Sequence, residues 1–364
     1  MTYLETINGL KVQLEAMKSP ARLDIPFQES RPPTQAFSEF LTNKEQGDWA
    51  EQTFVENFNS TQPELWAVKY GRSEDLVAGE SGFDKYYRAY QAELAEIGKR
   101  PDLLVFERSV FAAQYQCVTD ISTLNKSELD ALVPKARMAI EVRSSAFLSR
   151  KYDQATALAR TSVNEKLLHC AHRLNSEFEA ELSRSVEWKA YVQTVIGPAF
   201  DVSQSAPRAM SLRSTGQLAA ASKLTSEIKA CLKELAKRDS LSITPKAEDL
   251  SLVYRWIQTY QVPHHYCQVF FDRAVMIAFE KILSVLATPD REGKDYFIES
   301  DEKNQGKVTF KINVQLGKQV MDRIVLPAHS SAMKELPKGR LLFYVKFEPS
   351  KAEVQQTGWD YADH

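Results

Sequence analysis

Three short apolar runs restrict the folds open to this chain more than any other feature. They are Asp102–Glu107 (DLLVFE), Met138–Arg143 (MAIEVR) and Tyr266–Phe271 (YCQVFF). Each is too short for a stable helix and apolar through its middle, the pattern of a strand covered on both faces. Ahead of the third run, residues 247–260 carry apolar positions at helical spacing and begin just behind Pro245. A helix feeding a strand in this way supplies a crossover connection, and a crossover helix needs a sheet face to cover. The expected fold class is therefore α/β, with a mixed central sheet flanked by helices.

The remaining segments divide around that core. Residues 1–34 read as an amphipathic helix and a Pro-rich connector (Pro20, Pro26, Pro32, Pro33). Residues 35–152 form the first part of the core: a helix at about 35–58, a strand at Leu65–Tyr70, a helix over Phe83–Ile97 and the first two apolar runs. Residues 153–238 are helical throughout, broken near Gly197–Pro198 and at Pro207, and read as a helical insertion. Residues 239–290 complete the core, with the run YCQVFF passing directly into a helix through Leu286. Residues 291–364 alternate in the strand manner at VTFKINV, DRIVL and RLLFYVKF, giving a basic, β-rich C-terminal region.

Composition excludes several classes. With 43% hydrophobic and 26% charged residues the chain is of ordinary globular type. No run approaches the ~20 apolar residues that span a bilayer, so no membrane partner is expected. The N-terminus lacks the basic start and apolar stretch of a secretory signal, and a cytoplasmic location is expected. Cys117, Cys170, Cys231 and Cys267 lie far apart with no metal-site spacing, and read as reduced thiols. The net charge of −2 conceals a strong asymmetry. Lys44–Lys99 holds six basic against eleven acidic residues, Lys303–Lys346 nine against two, and Pro207–Ser240 seven against three. An acidic block joined to basic blocks suits an enzyme that holds a metal in one place and a phosphate backbone in another. Solvated helix faces would give the same counts.

The acidic residues in the apolar runs carry the chemistry. Pro101-Asp102 opens the strand DLLVFE, and Glu141 and Arg143, two apart in AIEVR, share one face. If the two strands pair, Asp102 and Glu141 converge on one metal, and Glu51, on the preceding helix, could add a further carboxylate. Magnesium takes oxygen ligands and keeps several waters, so two or three carboxylates suffice. Each residue also has a plainer reading. Asp102 could be a turn residue, Glu51 an exposed helix residue, and Glu141 the partner of Arg143 or Arg137. A carboxylate inside an apolar strand is costly unless paired or metal-bound, which favours a role for Glu141 in a site. His264 and His265 read as ordinary loop histidines ahead of a strand. Gln268 is either a core amide or a residue holding water or phosphate. Trp256, Tyr260, Tyr266, Phe270 and Phe271 have core spacing.

Pro101-Asp102 followed by Glu141-Val142-Arg143 resembles the PD-(D/E)XK motif of type II restriction endonucleases. The stretch from Asn43 to Glu51, with Gly47, Ala50 and Glu51, resembles the helix of those enzymes whose Glu points at the metal. Arg143-Ser144-Ser145 resembles the end of their catalytic strand. The segments Ser242–Leu250 and His264–Asp272, with Trp256 between them, resemble the crossover helix and final core strand of one subgroup, the AccI type. The likeness runs from about residue 35 to about 290.

The resemblance implies a PD-(D/E)XK core and a magnesium-dependent homodimer that cuts double-stranded DNA at a short, palindromic site. Asp102 and Glu141 would hold the metal, with Arg143 and Glu51 completing the catalytic set. A cognate DNA methyltransferase would be a functional, not a physical, partner. DNA contacts are expected from the helical insertion and the basic C-terminal region: Arg208, Arg213, Lys223, Lys307, Lys311, Lys318 and Arg340. One departure matters. The motif's third member is usually lysine, and Arg143 can clamp a phosphate but cannot transfer a proton. Lys151 or Lys246 could instead bring an ammonium to the site. Two rival readings use the same core: a repair or structure-specific nuclease, and a DNA-binding protein whose nuclease site has decayed.

Overall fold

The computed structural model describes residues 2–72, 76–113, 115, 118–198, 200–202, 204–208, 216–301, 307–355 and 359. Among these the helices are α1 (Tyr3–Ala16), α2 (Ser38–Thr61), α3 (Phe83–Ile97), α4 (Arg108–Ala112), α5 (Lys126–Leu132), α6 (Ser149–Glu177), α7 (Glu179–Leu182), α8 (Val186–Ile196), α9 (Gln217–Leu235), α10 (Ala247–Tyr260) and α11 (Phe279–Leu286). The strands are β1 (Leu65–Lys69), β2 (Leu103–Glu107), β3 (Met138–Ser145), β4 (Ser242–Ile243), β5 (His264–Phe270), β6 (Arg273–Ala278), β7 (Tyr296–Asp301), β8 (Lys307–Asn313), β9 (Lys318–Asp322), β10 (His329–Leu336), β11 (Arg340–Phe347) and β12 (Glu353–Val354).

A mixed seven-stranded sheet in the order β1-β2-β3-β5-β6-β9-β12 organises the fold. Only β3 and β5 run parallel, and α10 carries the returning chain to β5. The α/β class read from the sequence is therefore present, with a crossover helix where one was expected. One face of the sheet packs on α2. Trp49, Ala50, Phe54 and Phe58 meet Leu103 and Val105 of β2, Met138, Ile140 and Val142 of β3, and Cys267 and Val269 of β5. Strand alternation then puts Glu141 and Arg143 on the opposite face. The C-terminal segment is stitched to α2: Trp49 Nε1 donates to Ser350 Oγ at 3.0 Å, and Ala352 N donates to Asn57 Oδ1 at 2.8 Å.

The chain divides into two compact units, residues 1–149 with 241–364, and residues 150–240. The second is a helical cluster whose core includes Leu167, Leu174, Trp188, Val192, Ile228 and Leu232.

Several local expectations need correction. YCQVFF does not run directly into a helix. Phe271 and Asp272 turn the chain into β6, antiparallel to β5, and the helix begins only at Phe279. The apolar run Ala274–Ala278 suits a helix or a covered strand equally, and pairing with β9 on its far side settles it as strand. DRIVL is not a strand: β9 ends at Asp322, and Arg323 adopts a left-handed φ of 46° that breaks the ladder. His264 and His265 lie inside β5, fully buried, and not in a loop. The aromatic series is core, with Phe271 only half-buried against it. Cys170, Cys231 and Cys267 are free and buried; Cys117 lies outside the described residues.

Gly98 decides how the core closes around the site. Its φ is 83°, and a Cβ there would sit 2.2 Å from the carbonyl oxygen of Leu252 on α10. The loop entering β2 is thereby pressed against α10, and Lys99 N donates to Leu252 O at 3.2 Å. Gly98→Ala combines a left-handed non-glycine residue with a backbone clash, and should cost more than about 2 kcal/mol. Chemical denaturation measures this, and an unchanged midpoint would mean that the loop is free to move off α10.

Candidate active site

The pairing of β2 with β3 is antiparallel, with Leu103 opposite Ile140. Asp102, one residue before β2, therefore faces Glu141, and its Oδ2 accepts the Val142 N–H at 2.6 Å. The Asp102 carbonyl accepts from Tyr70 N at 2.8 Å and Gly71 N at 3.0 Å, so the end of β1 is fastened to the same residue. Glu51 reaches in from α2 and pairs with Lys69 of β1 at 3.5 Å. Asp102, Glu141 and Glu51 line one cleft of about 380 Å³, together with Asp48, Lys69, Lys99 and Arg143.

Glu141 is the most buried of these, with a side chain 1% exposed. Its Oε1 receives both the Lys99 ammonium and, at 3.0 Å, the Arg143 guanidinium. Its Oε2 is buried and has no hydrogen-bond partner. Arg143 extends further to Asp249, in the first turn of α10, at 3.0 Å. Gln46 of α2, buried, accepts from the Ser145 and Ala146 N–H groups at 3.1 and 3.3 Å in the amide orientation that satisfies both its ends. The α2 segment and the Arg-Ser-Ser end of β3 are thus in direct contact.

The electrostatics follow from this arrangement. Burial, then the charges of Glu141 and Glu51, push the Asp102 carboxyl well above its ordinary value against the pull of Lys99 and Arg143. Burial pushes Glu51 up to about 7, with Asp48 adding to the rise and Lys69 opposing it. Burial works against Glu141 ionising as well, but Lys99 and Arg143 outweigh it and hold that carboxyl below its ordinary value. Despite burial, the surrounding carboxylates raise Lys99 and Arg143, so both stay charged.

This donor set fits a hard divalent cation. Glu141 Oε2 is an orphaned buried acceptor, and the repulsion among Asp102, Glu141 and Glu51 is of the kind a bound cation relieves. Among the described residues no three His, Cys, Asp or Glu side chains form a ready-made metal cage. Glu51 is held aside by Lys69, so the ligands on offer are Asp102 and Glu141. Two carboxylates and several retained waters are what magnesium commonly takes.

A model of the AccI restriction endonuclease family matches residues 1–357. The chain belongs to that family. No curated protein and no solved structure matches it. As a member of the AccI family it is a type II site-specific DNA endonuclease, a hydrolase acting on double-stranded DNA. No helix among the described residues is long and apolar enough to cross a membrane.

The other sequence candidates fall elsewhere in the AccI-family chain. Lys151 is exposed on α6, and Lys246, the residue capping α10, is exposed and does not line the cleft. The ammonium at Glu141 belongs to Lys99, which the motif reading missed. Its one signal is position, three residues before Asp102 in a Gly-Lys-Arg-Pro loop. Asp249 was also missed, because nothing near it in sequence indicates that it meets Arg143. Gln268, opposite Arg143 in the β3–β5 register, is buried and donates from Nε2 to the Arg143 carbonyl at 3.2 Å, bracing the strand pair. Burial holds His264 well below its ordinary pKa, so it is a neutral ring among Trp256, Tyr266 and Phe279.

Of the basic residues nominated for DNA, Lys307, Lys311, Lys318 and Arg340 do not line the cleft. Lys307 pairs with Glu248 at 3.4 Å, and Lys311 with Glu299 at 3.3 Å. Arg340 donates to Gln35 at 2.9 Å and lies over the Phe37 ring. Lys318, Lys223 and Arg208 are exposed on β9, α9 and the segment before α9. Arg213 lies outside the described residues.

Proposed function

We propose that this chain is a homodimeric, magnesium-dependent enzyme with a PD-(D/E)XK core that hydrolyses one phosphodiester per strand at a short palindromic site in duplex DNA. It acts in the cytoplasm beside a DNA methyltransferase that shares its site, a functional and not a physical partner. The observation that carries the reading is the antiparallel pairing of β2 with β3, by which Asp102 and Glu141 reach one cleft. Dimer symmetry matches a palindromic site, as in other dimeric DNA readers.

In this reading Asp102 and Glu141 hold magnesium, which when bound polarises the phosphate and lowers the pKa of water. Glu51, tied to Lys69, shapes the third side of the cleft and can accept a proton, since its carboxyl titrates at about 7. Lys99 and Arg143 keep fixed positive charge next to the position where the phosphate gains negative charge. The Asp249 ion pair orients the Arg143 fork. Arg208, Lys223, Lys307, Lys311, Lys318 and Arg340, with Arg213, contact the DNA backbone or bases.

Plasmid DNA incubated with the protein and magnesium, then run on a gel, tests the proposal. Discrete bands are expected. A smear would point to a non-specific, repair-type nuclease on the same core, and an unchanged plasmid to a binding protein. Arg143→Ala should slow single-turnover cleavage by roughly 10²–10³-fold, the usual scale for one transition-state donor. Arg143→Lys keeps the charge and should retain much more activity. Equal rates for Arg143→Ala and the parent would make Arg143 a structural partner of Asp249.

A further inference from the structure

The carboxylate cleft has a second wall, made from the part of the chain that is acidic by count and from the residue that follows it. Arg72 follows β1 and Arg100 precedes β2, and both line the cleft with Asp102 and Glu141. Glu93, on α3, holds both. Arg100 Nη2 donates to Oε2 at 2.9 Å and its Nε lies 2.7 Å from Oε1, while Arg72 Nε lies 3.2 Å from Oε2. Two guanidinium groups thus share one carboxylate, and one positive charge is left over. Each guanidinium also lies near a tyrosine ring, Arg100 at 5.2 Å from Tyr70 and Arg72 at 6.0 Å from Tyr86. The pair is tied to the proposed catalytic residue. Tyr70 N and Gly71 N both bond the Asp102 carbonyl, and a Cβ on Gly71 would stand 3.1 Å from Asp102 Cα.

A clamp that only joined α3 to the strand entrances would satisfy its own donors. Arg72 Nη1 and Arg100 Nε are instead buried without a hydrogen-bond partner. An oriented, charged, unpartnered donor beside a cleft is what a bound anion would satisfy. The geometry points to a phosphate-binding site formed by Arg72 and Arg100, oriented by Glu93, for a DNA backbone phosphate neighbouring the one to be cut. This rests on the nuclease reading of the cleft, and assigns its substrate contacts. The planar fork of arginine suits a phosphate held in two bonds, and positioning of this kind requires no base identity. It also moves part of the DNA contact from the basic C-terminal strands to a segment of net negative charge.

Fluorescence anisotropy of a labelled duplex without metal, over a series of salt concentrations, tests the assignment. Arg72→Gln should bind several-fold more weakly at low salt and flatten the slope of log affinity against log salt by about one, as expected for one lost phosphate contact. The double variant Arg72→Gln, Arg100→Gln should lose about two. Arg72→Lys keeps the charge and the Glu93 pairing, so it protects the fold; it should keep the slope yet bind more weakly than the parent. Thermal unfolding checks that each variant is folded. Parent affinity and slope in Arg72→Gln and in the double variant would overturn the site and leave a structural clamp. A parent that binds duplex steeply with salt but never cuts would leave this site standing and remove the catalysis. A parent with no salt-dependent duplex binding would remove both.

Discussion

Asp102→Asn and Glu141→Gln are each expected to lower single-turnover cleavage of duplex DNA by on the order of 10³-fold or more, since a metal supplies several kcal/mol of charge stabilisation. Duplex binding should be largely retained, because neither side chain contributes cationic contacts. The two variants should part in stability. Glu141 is the buried counter-charge of Lys99 and Arg143, and its loss leaves the Lys99 ammonium without its carboxylate. Arg143 keeps Asp249 and both cations are partly exposed, so the cost falls below that of a fully buried pair, at about 2 kcal/mol. Asp102 is repelled by Glu141 and Glu51, and an Asn there can still accept from Val142 N, so Asp102→Asn should be neutral or stabilising without metal. Near-parental cutting by either variant would remove the site from this cleft. Equal destabilisation by both would mean that the charge arrangement is not what holds these strands.

Without metal, the protein should lose stability as the pH rises from about 4.5 to about 7, and magnesium should restore it. The Glu51 carboxyl sits at about 7 when folded, above its ordinary 4.5. Between those values the folded state keeps a proton that the unfolded chain has released. The stability from this group is present below the unfolded value and lost as pH rises through the folded one. The displacement corresponds to roughly 3 kcal/mol at most, and Asp102 acts in the same direction. Glu141 is lowered, so its contribution is lost only as the pH falls below the ordinary carboxyl range. Bound magnesium stabilises the ionised cluster by mass action. Chemical denaturation at pH 5 and pH 8, with and without magnesium, should show the larger metal effect at pH 8. A metal effect equal at both values would mean that the raised Asp102 carboxyl does not hold the cation.

The main elements of the core could be read from local sequence, because each rests on local physics. The apolar runs at 102–107 and 138–143 became β2 and β3, and the periodicities behind Gly82 and Pro245 became α3 and α10. The convergence of Asp102 with Glu141 followed from one assumption, that these two strands pair. The chain order of the motifs was enough to place the carboxylates because neighbouring strands in sequence tend to be neighbours in space. The β5–β6 hairpin was not readable in this way: Ala274–Ala278 is as apolar as a helix interior, and it is a strand because β5 pairs with it on one side and β9, about forty residues later, on the other. The same holds for His264 and His265, whose burial depends on β5 lying between β3 and β6.

Charge partners were the least visible. Lys99 meets Glu141 because Gly98 lets its loop press on α10, and Asp249 meets Arg143 across more than a hundred residues. Arg72 and Glu93 come from separate segments of a block that looks acidic when counted, and Arg100 follows directly after it. Hydrophobic periodicity repeats along the chain and so reveals secondary structure and the buried face. An ion pair has no period. Its partners are chosen only when strand register, a glycine's left-handed turn and the seating of α10 have put side chains within a few ångströms of each other.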